Sequence, residues 1–290
     1  MKIAIASCSK LQQTNPQPVW SEISAEKPDI LLLTGDTIYL DHDHHSNPAK
    51  LQSELRQLYE NQLAEQHFAA LLADMKQRGA DVVAIYDDHD FLGNNRYGGD
   101  EDPALRDVAR AELIRAFAPR MTGADVYSVA KLGLVDLVVL DERFYRKSPL
   151  RSLGSRDAIL GERQWSWLES VVSSSVAPYL VIVSSTTIHQ FGDESWEQYR
   201  GAFERLRNLI AGRAGAMVIS GDVHRNALYD DSGILEVVSS GVARNGVIFG
   251  SPRQNWGVLE FSPASVRIEL KGLKAGSRFS ADVALNDWRF

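Results

Sequence analysis

Residues 30–39 read ILLLTGDTIY: an apolar run passes directly into a glycine, an aspartate and, three positions later, a tyrosine. A short apolar run without alternation is typical of a strand buried on both faces, and the Gly-Asp step ends it. Three further runs end in polar side chains in the same way: 3–6 before SCS, 82–86 before DDHD, and 217–220 before GDVH. If these four strands are parallel neighbours, their carboxyl ends meet at one edge, where open α/β sheets bind ligands.

The rest of the chain alternates between helical and strand patterns. The predicted helices span residues 48–78, 103–117, 162–173 and 195–211. Two more buried strands are predicted at 134–140 and 180–184. From residue 233 the pattern changes to strand, turn, strand, at 234–239, 256–261 and 266–270, with a hairpin turn at 262–264.

This order of elements predicts an α/β fold with two central mixed β-sheets flanked by helices, a four-layer αββα sandwich, rather than a doubly wound single sheet. No Pro-, Gly- or Ser-rich linker divides the sequence, so we expect one domain over residues 1–290. The polar loops 39–48 and 91–103 follow strand ends, which makes them the expected walls of a site.

The composition narrows the possible partners. The chain has 290 residues, with 31 Lys and Arg against 38 Asp and Glu, and a net charge of −7. An acidic chain without a block of basic residues argues against a stoichiometric nucleic acid, but a metal could still attract a small anionic substrate. No apolar stretch approaches the roughly twenty residues of a membrane helix. We expect no membrane association and a cytoplasmic location; the oligomeric state stays open.

The polar strand ends carry side chains that suit a metal site. Carboxylates gathered without a counter-charge raise one another's pKa, and a cation offsets this cost. One thiol and one phenol among several carboxylates fit Fe(III), Mn or Ca better than structural zinc. The candidate residues are Cys8, Asp36, Tyr39, Asp87, Asp88, His89, Asp90, Asp222 and His224.

These motifs, in this order, resemble the calcineurin-like metallophosphoesterase superfamily and, within it, the alkaline phosphatase D (PhoD-like) branch. GDTIY at 35–39 is similar to the block G-D-x-x-D/Y, DDHD at 87–90 to G-N-H-D/E, and GDVH at 221–224 to G-H-x-H. Cys8 stands where the superfamily has aspartate, and this cysteine also looks PhoD-like. Supporting stretches lie at 140–146, 160–165 and 239–241, and the resemblance extends from about residue 3 to 245.

The resemblance implies two metal ions and an acid catalyst. A ferric ion would be held by Cys8, Asp36, Tyr39 and His224. A second, divalent ion (Ca, Mn or Zn) would be held by Asp36 as a bridge, Asp88 and Asp222. His89 would lie outside the coordination shell and donate a proton to the leaving oxygen.

The function implied is that of a binuclear-metal phosphoesterase, in which hydroxide activated by the metals attacks a phosphate monoester or diester of a small substrate. One alternative is a metal- or nucleotide-binding protein with the same cleft but little turnover. The intact His89 argues against it, because a binding protein needs no proton donor there. A Rossmann or flavodoxin-like protein is a further alternative. It predicts a glycine-rich loop after the first strand, whereas SCSK at 7–10 has no glycine.

Several residues keep two interpretations. Arg143 either contacts the substrate phosphate or forms an ion pair with a carboxylate. His189 is a candidate metal ligand, but it follows its strand later than the corresponding ligand of the superfamily does. Asp87 and Asp90 are expected to orient His89 or support the ligands. The segment DHDHH at 41–45 has the composition of a metal-binding segment, but we expect it to be a solvated loop. Asn94 and Asn95 are candidate contacts of the substrate or the second metal.

Overall fold

The computed structural model describes residues 1–40, 46–118, 126–152, 154–189, 194–230, 233–244, 254–274 and 276–288. The strands are β1 (Lys2–Ala6), β2 (Ile30–Thr34), β3 (Asp81–Ile85), β4 (Ser128–Lys131), β5 (Val135–Val139), β6 (Tyr179–Val183), β7 (Ala216–Ser220), β8 (Asn226–Tyr229), β9 (Leu235–Ser239), β10 (Asn255–Phe261), β11 (Ser265–Gly272) and β12 (Gly276–Ala284). The helices are α1 (Val19–Ala25), α2 (Pro48–Leu63), α3 (Gln66–Arg78), α4 (Pro103–Phe117), α5 (Gly161–Ser174) and α6 (Arg200–Ile210).

The described strands form two six-stranded mixed sheets. The first has the order β12-β11-β10-β1-β2-β3, in which β1, β2 and β3 are parallel and β10 to β12 are antiparallel. The second has the order β4-β5-β6-β7-β9-β8, with four parallel central strands between antiparallel edges. The hairpin turn predicted at 262–264 joins β10 to β11 and is confirmed.

Hydrophobic packing arranges the two sheets and the helices in four layers. Alternate residues of each strand point to opposite faces. Ile3 and Ile5 of β1 therefore pack between the sheets against residues such as Val181 and Ile219, whereas Ala4 and Ala6 face helices α1 to α4. The outer face of the second sheet packs against α5 and α6. The predicted αββα sandwich is thus confirmed.

The expectation that four neighbouring strands supply the site is wrong in one respect. The strand before Gly221 is β7, which lies in the second sheet, while the other three are neighbours in the first. The site forms because the carboxyl ends of the two sheets meet. A Cβ atom at Gly221 would lie 2.7 Å from the carbonyl oxygen of Thr34, so glycine is required for this close approach.

The helix predicted over 48–78 is two helices, and Glu65 separates them. The Glu65 carboxylate accepts hydrogen bonds from the backbone N–H of Phe68, at 2.7 Å, and from that of Gln17, at 3.1 Å. The first of these bonds caps α3 and the second ties it to a distant loop. Helix α1 and strands β4, β8 and β12 were not predicted. No helix within the described ranges has the length and apolar character needed to cross a bilayer.

Candidate metal centre

The loops that follow β1, β2, β3 and β7 bring the predicted ligands together at the junction of the sheets. Each loop continues a buried strand, so the backbone that carries the ligands is anchored in the core. Two groups of side chains have potential metal-ligating atoms that all lie within 4.8 Å of one another. The first is Cys8, Asp36 and His224; the second is Asp36, Asp88 and His89.

Asp36 belongs to both groups and is buried at their centre. Its Oδ2 accepts a hydrogen bond from the Tyr39 hydroxyl at 3.0 Å and lies 3.6 Å from the Cys8 thiol. Its Oδ1 is buried and has no hydrogen-bond partner among the described residues. A buried carboxylate oxygen without a donor is costly unless a cation or water supplies the interaction.

The four side chains expected to hold the first metal lie in contact with one another. The Tyr39 hydroxyl is 3.2 Å from Nε2 of His224, and the Cys8 thiol lies 3.0 Å from the hydroxyl of Ser240. The same Ser240 hydroxyl accepts from the backbone N–H of His224 at 3.0 Å. Ser240 therefore links two expected ligands from opposite ends of the chain, a role that the sequence analysis did not assign.

The second group differs from the expected set of Asp36, Asp88 and Asp222. It contains His89, expected outside the coordination shell, and Asp222 is in neither group. The backbone carbonyl of Asp222 lies 3.6 Å from the Cys8 thiol, so this residue still adjoins the first group. The roles of His89 and Asp222 stay predictions.

Backbone strain is concentrated at these residues. Cys8, Asp36, Asp222 and His224 have φ values of 57°, 54°, 68° and 55°, in the left-handed region that non-glycine residues avoid. Asn95, whose backbone N–H donates to Asp88 at 2.6 Å, has a φ of 55°. Such conformations persist only where the surrounding structure imposes them, and they are typical of functional sites.

The electrostatics of the cluster favour a bound cation. Burial raises the pKa of the Cys8 thiol to about 12. Burial, and then the nearby Cys8 and Asp88, raise the pKa of Asp36 well above its ordinary range; burial, followed by Asp87 and Asp88, does the same for Asp222. These shifts mean that the charged forms lack compensation from the protein. The donor set therefore fits metal ions, which would supply it.

The neighbouring Asp88 and the histidines behave differently. Burial would raise the pKa of Asp88, but Arg143, His89 and the backbone N–H groups of Asn95 and His89 together lower it. Burial has the opposite effect on the histidines: it disfavours the charged imidazolium and so lowers the pKa of His89 and His224. A lower pKa favours the neutral imidazole, which is the form in which His224 would bind a metal.

Asp87 and Asp90 support the loop that carries Asp88. The Asp90 carboxylate accepts from the backbone N–H groups of Thr37, at 3.0 Å, and Asp87, at 2.5 Å. It thereby ties the loop after β2 to the loop after β3. Asp87 in turn accepts from the Arg143 guanidinium at 2.6 Å.

Arg143 is fully buried and forms ion pairs on two sides, with Asp87 at 2.6 Å and with Glu194 at 2.7 Å. Of its two interpretations, the ion pair is the one that the structure shows. A contact with substrate phosphate stays a prediction that this burial disfavours. Glu194 was not singled out in the sequence, because a glutamate in a loop carries no motif.

His189 pairs with a carboxylate that belongs to neither group. Its Nδ1 lies 2.7 Å from the buried carboxylate of Glu236, and its ring packs 5.3 Å from that of Tyr229. Neither group of candidate ligands contains it. The segment 41–45 lies outside the described residues. Asn94 is exposed, and Asn95 reaches Asp88 through its backbone.

The fold and the cluster of candidate ligands fit a metal-dependent phosphoesterase, and comparison with known proteins places the chain in a family. A family model for PhoD-like phosphatases matches residues 3–267, so the chain belongs to that family, whose members hydrolyse phosphoester bonds. A search of curated proteins found no match.

Solved structures share the fold at low sequence identity. The structure of PhoD is 19% identical with a TM-score of 0.73, over 98% of this chain and 68% of that one. GAP50, described as the anchor in the inner membrane complex of Plasmodium, is 13% identical with a TM-score of 0.62, and the match covers 98% of this chain and 88% of that one. Purple acid phosphatase PPD1 from yellow lupin (Lupinus luteus) is 13% identical with a TM-score of 0.58, and the match covers 98% of this chain and 53% of that one.

Proposed function

We propose that this chain hydrolyses small phosphate esters with two metal ions that share the Asp36 carboxylate. The observation that carries the proposal is the membership of Asp36 in both compact groups of candidate ligands. One ion would be held by Cys8, Asp36, Tyr39 and His224. The other would be held by Asp36, Asp88 and Asp222. Two ions that share a carboxylate are a common arrangement in phosphatases.

When bound, the ions would lower the pKa of a water molecule and offset charge on the phosphoryl oxygens. The protein's own residues position the reactants. His89 packs against the Tyr39 ring, with ring centroids 4.2 Å apart, and its backbone N–H donates to Asp88 at 2.8 Å. Its Nδ1 has no hydrogen-bond partner among the described residues. We assign His89 the protonation of the leaving oxygen.

Asp36→Asn and His89→Ala separate metal binding from proton donation. Asp36→Asn removes the shared charge, so we expect it to lose both metals and the activity. His89→Ala should keep the metals and lower kcat by about 10²–10⁴. Metal content is measured by mass spectrometry and activity with chromogenic monoesters and diesters. Asp107→Asn, an exposed aspartate on α4, is the matched control and should change neither.

Equal metal loss in both variants would contradict this role and make His89 a ligand, which its place in the second group allows. A wild-type protein that binds metal but hydrolyses no ester would contradict the proposed activity. It would favour the alternative of a binding protein.

We propose that the first ion is ferric and the second is Ca, Mn or Zn. A phenolate bound to Fe(III) absorbs visible light, and Tyr39 is the only tyrosine in the expected ligand set. Concentrated iron-loaded protein should therefore be coloured, and Tyr39→Phe should remove the band, as checked by absorption spectroscopy. Tyr97→Phe is the control. A colourless protein with full iron occupancy would exclude Tyr39 as a ligand.

A further inference from the structure

A cavity of about 210 Å³ lies next to the metal centre, between the loop after β1, the loop after β2 and helix α2. Its described lining consists of aliphatic side chains such as Leu11 and Leu58, four side-chain amides, and Tyr39. No charged residue is among these lining residues. The wall chemistry therefore suits an uncharged group with apolar faces and a polar edge.

Tyr39 lines the cavity and is also one of the side chains expected to hold the first metal. Its hydroxyl lies 3.0 Å from Asp36 and 3.2 Å from His224, while its backbone carbonyl accepts a hydrogen bond from Gln12 Nε2 at 3.3 Å. Gln12 also lines the cavity. The cavity and the candidate metal centre therefore adjoin across one side chain, that of Tyr39.

The amide of Gln62 is held in one orientation and leaves an acceptor without a partner. The Trp20 indole N–H can only donate, so it fixes Oε1 of Gln17 as its acceptor, at 2.7 Å. That oxygen also accepts from Gln62 Nε2 at 2.8 Å, so Oε1 of Gln62 must point elsewhere. This oxygen is buried, and the described residues supply no donor to it. Gln62 itself lines the cavity, and a donor that reached this oxygen from the cavity side would remove the cost of the missing hydrogen bond.

We propose that this cavity binds the nucleobase of a nucleotide substrate, an inference that rests on the proposed phosphoesterase function. Amide side chains pair with the donor and acceptor edge of a base, and aliphatic side chains cover its faces. A polyol has no apolar face to match Leu11 and Leu58. The volume is below the roughly 300–1,000 Å³ of pockets for whole ligands, so it suits one ring system of the substrate.

The test combines nucleoside binding with a specificity ratio. Adenosine, guanosine, cytidine and uridine lack phosphate, so calorimetric titration into the metal-loaded protein reports on binding that does not depend on a phosphate at the metals. Asn61→Trp, at the exposed rim of the cavity on α2, should block it. We expect at least one nucleoside to bind the wild type. We also expect Asn61→Trp to lower the kcat/KM for nucleoside monophosphates relative to p-nitrophenyl phosphate by about tenfold or more.

Gln77→Trp, an exposed amide on α3 outside the cavity lining, is the matched control and should leave the ratio unchanged. If none of the four nucleosides binds, or if Asn61→Trp leaves the ratio at the wild-type value, the proposal is wrong. Failure to hydrolyse any phosphoester would contradict the proposed function instead. Nucleoside binding would then still show whether the cavity accepts a base.

Discussion

The backbone at Gly35 and Asp36 shows how single residues determine the geometry of the metal centre. Gly35 has a φ of 93° and packs against the loop after β3; a Cβ atom there would lie 2.5 Å from that of Asp87. Asp36 follows directly in the left-handed region. The tight turn therefore places the Asp36 carboxylate, which belongs to both groups, beside Asp88, and any side chain at position 35 would push the two loops apart.

Gly35→Ala should destabilise the fold and disrupt metal binding. The left-handed φ alone costs about 1–2 kcal/mol for a residue with a Cβ atom, and the clash with Asp87 adds to it. We expect a loss of at least about 3 kcal/mol in the free energy of unfolding, measured by urea denaturation, together with reduced metal content.

Gly133→Ala is the control for the conformational cost alone. Gly133 has a similar φ of 78°, but a Cβ atom there would meet nothing within 4 Å. It should lose about 1–2 kcal/mol and keep its metals. Equal losses in the two variants would show that the contact with Asp87 is unimportant.

Local sequence predicts some site residues and misses others for a physical reason. Asp36 and His224 could be predicted because their side-chain chemistry is unusual directly after a buried strand. The role of Ser240 could not be predicted, since the resemblance of the stretch 239–241 assigns no contact to a serine side chain. Ser240 reaches the cluster because backbone N–H groups of Val242 and Ala243 donate to the carbonyls of Ser7 and Cys8, contacts between distant parts of the chain.

Helices and strands were predicted best where one element carries its own pattern. Strand β2 matches its predicted bounds, because five consecutive residues are buried on both faces. The break between α2 and α3 was missed because the hydrophobic spacing continues across it. The cap at Glu65 includes a bond to Gln17, which is 48 residues away. The edge strands β4 and β8 are short, four residues each, and give little pattern.

Helices α2 and α4 are joined by a buried carboxylate, which gives a pH-dependent prediction. Glu112 of α4 accepts from Arg56 of α2 at 2.8 Å and from Arg115 at 2.5 Å. Burial opposes its ionisation, but the bonds from Arg56, Arg115 and Gln52 outweigh this and lower its pKa below the ordinary 4.5. This interaction stabilises the fold fully above the unfolded pKa and is lost as the pH falls through the folded one.

Glu112→Gln should therefore lower the free energy of unfolding by about 1–2 kcal/mol at neutral pH. The difference from the wild type should shrink as the pH falls below about 4.5. Urea denaturation across this range provides the measurement. Glu204→Gln, which affects an exposed pair with Arg200, should change stability by less than about 0.5 kcal/mol at any pH. A difference for Glu112→Gln that grows in acid would contradict the assignment.

At the scale of the whole molecule, the metal centre joins the two sheets. Cys8, Asp36 and Asp88 follow strands of the first sheet, while Asp222 and His224 follow β7 of the second. The sequence predicted both sheets and the convergence of these loops. It could not show that the loops come from different sheets, because strand order depends on packing between distant segments.

Removing the metals should consequently destabilise the whole fold. A ligand that binds only the native state stabilises it by about 2.7 kcal/mol at a concentration one hundred times its Kd. We expect chelation to lower Tm by several degrees in calorimetry, and metal addition to restore it. Asp36→Asn should show no such shift. An unchanged Tm after verified metal removal would indicate that the sheets are held by their hydrophobic contacts alone.

The separation of the ligands along the chain also affects biosynthesis. Cys8 and Asp222 lie 214 positions apart, yet they are neighbours in the folded protein. During translation, the strands that precede Cys8 and Asp36 leave the ribosome well before the segment that carries Asp222 and His224. Binding of metal by the proposed ligand set therefore requires that this later segment has been synthesised, and a chain truncated before it would hold Cys8 and Asp36 without Asp222 and His224.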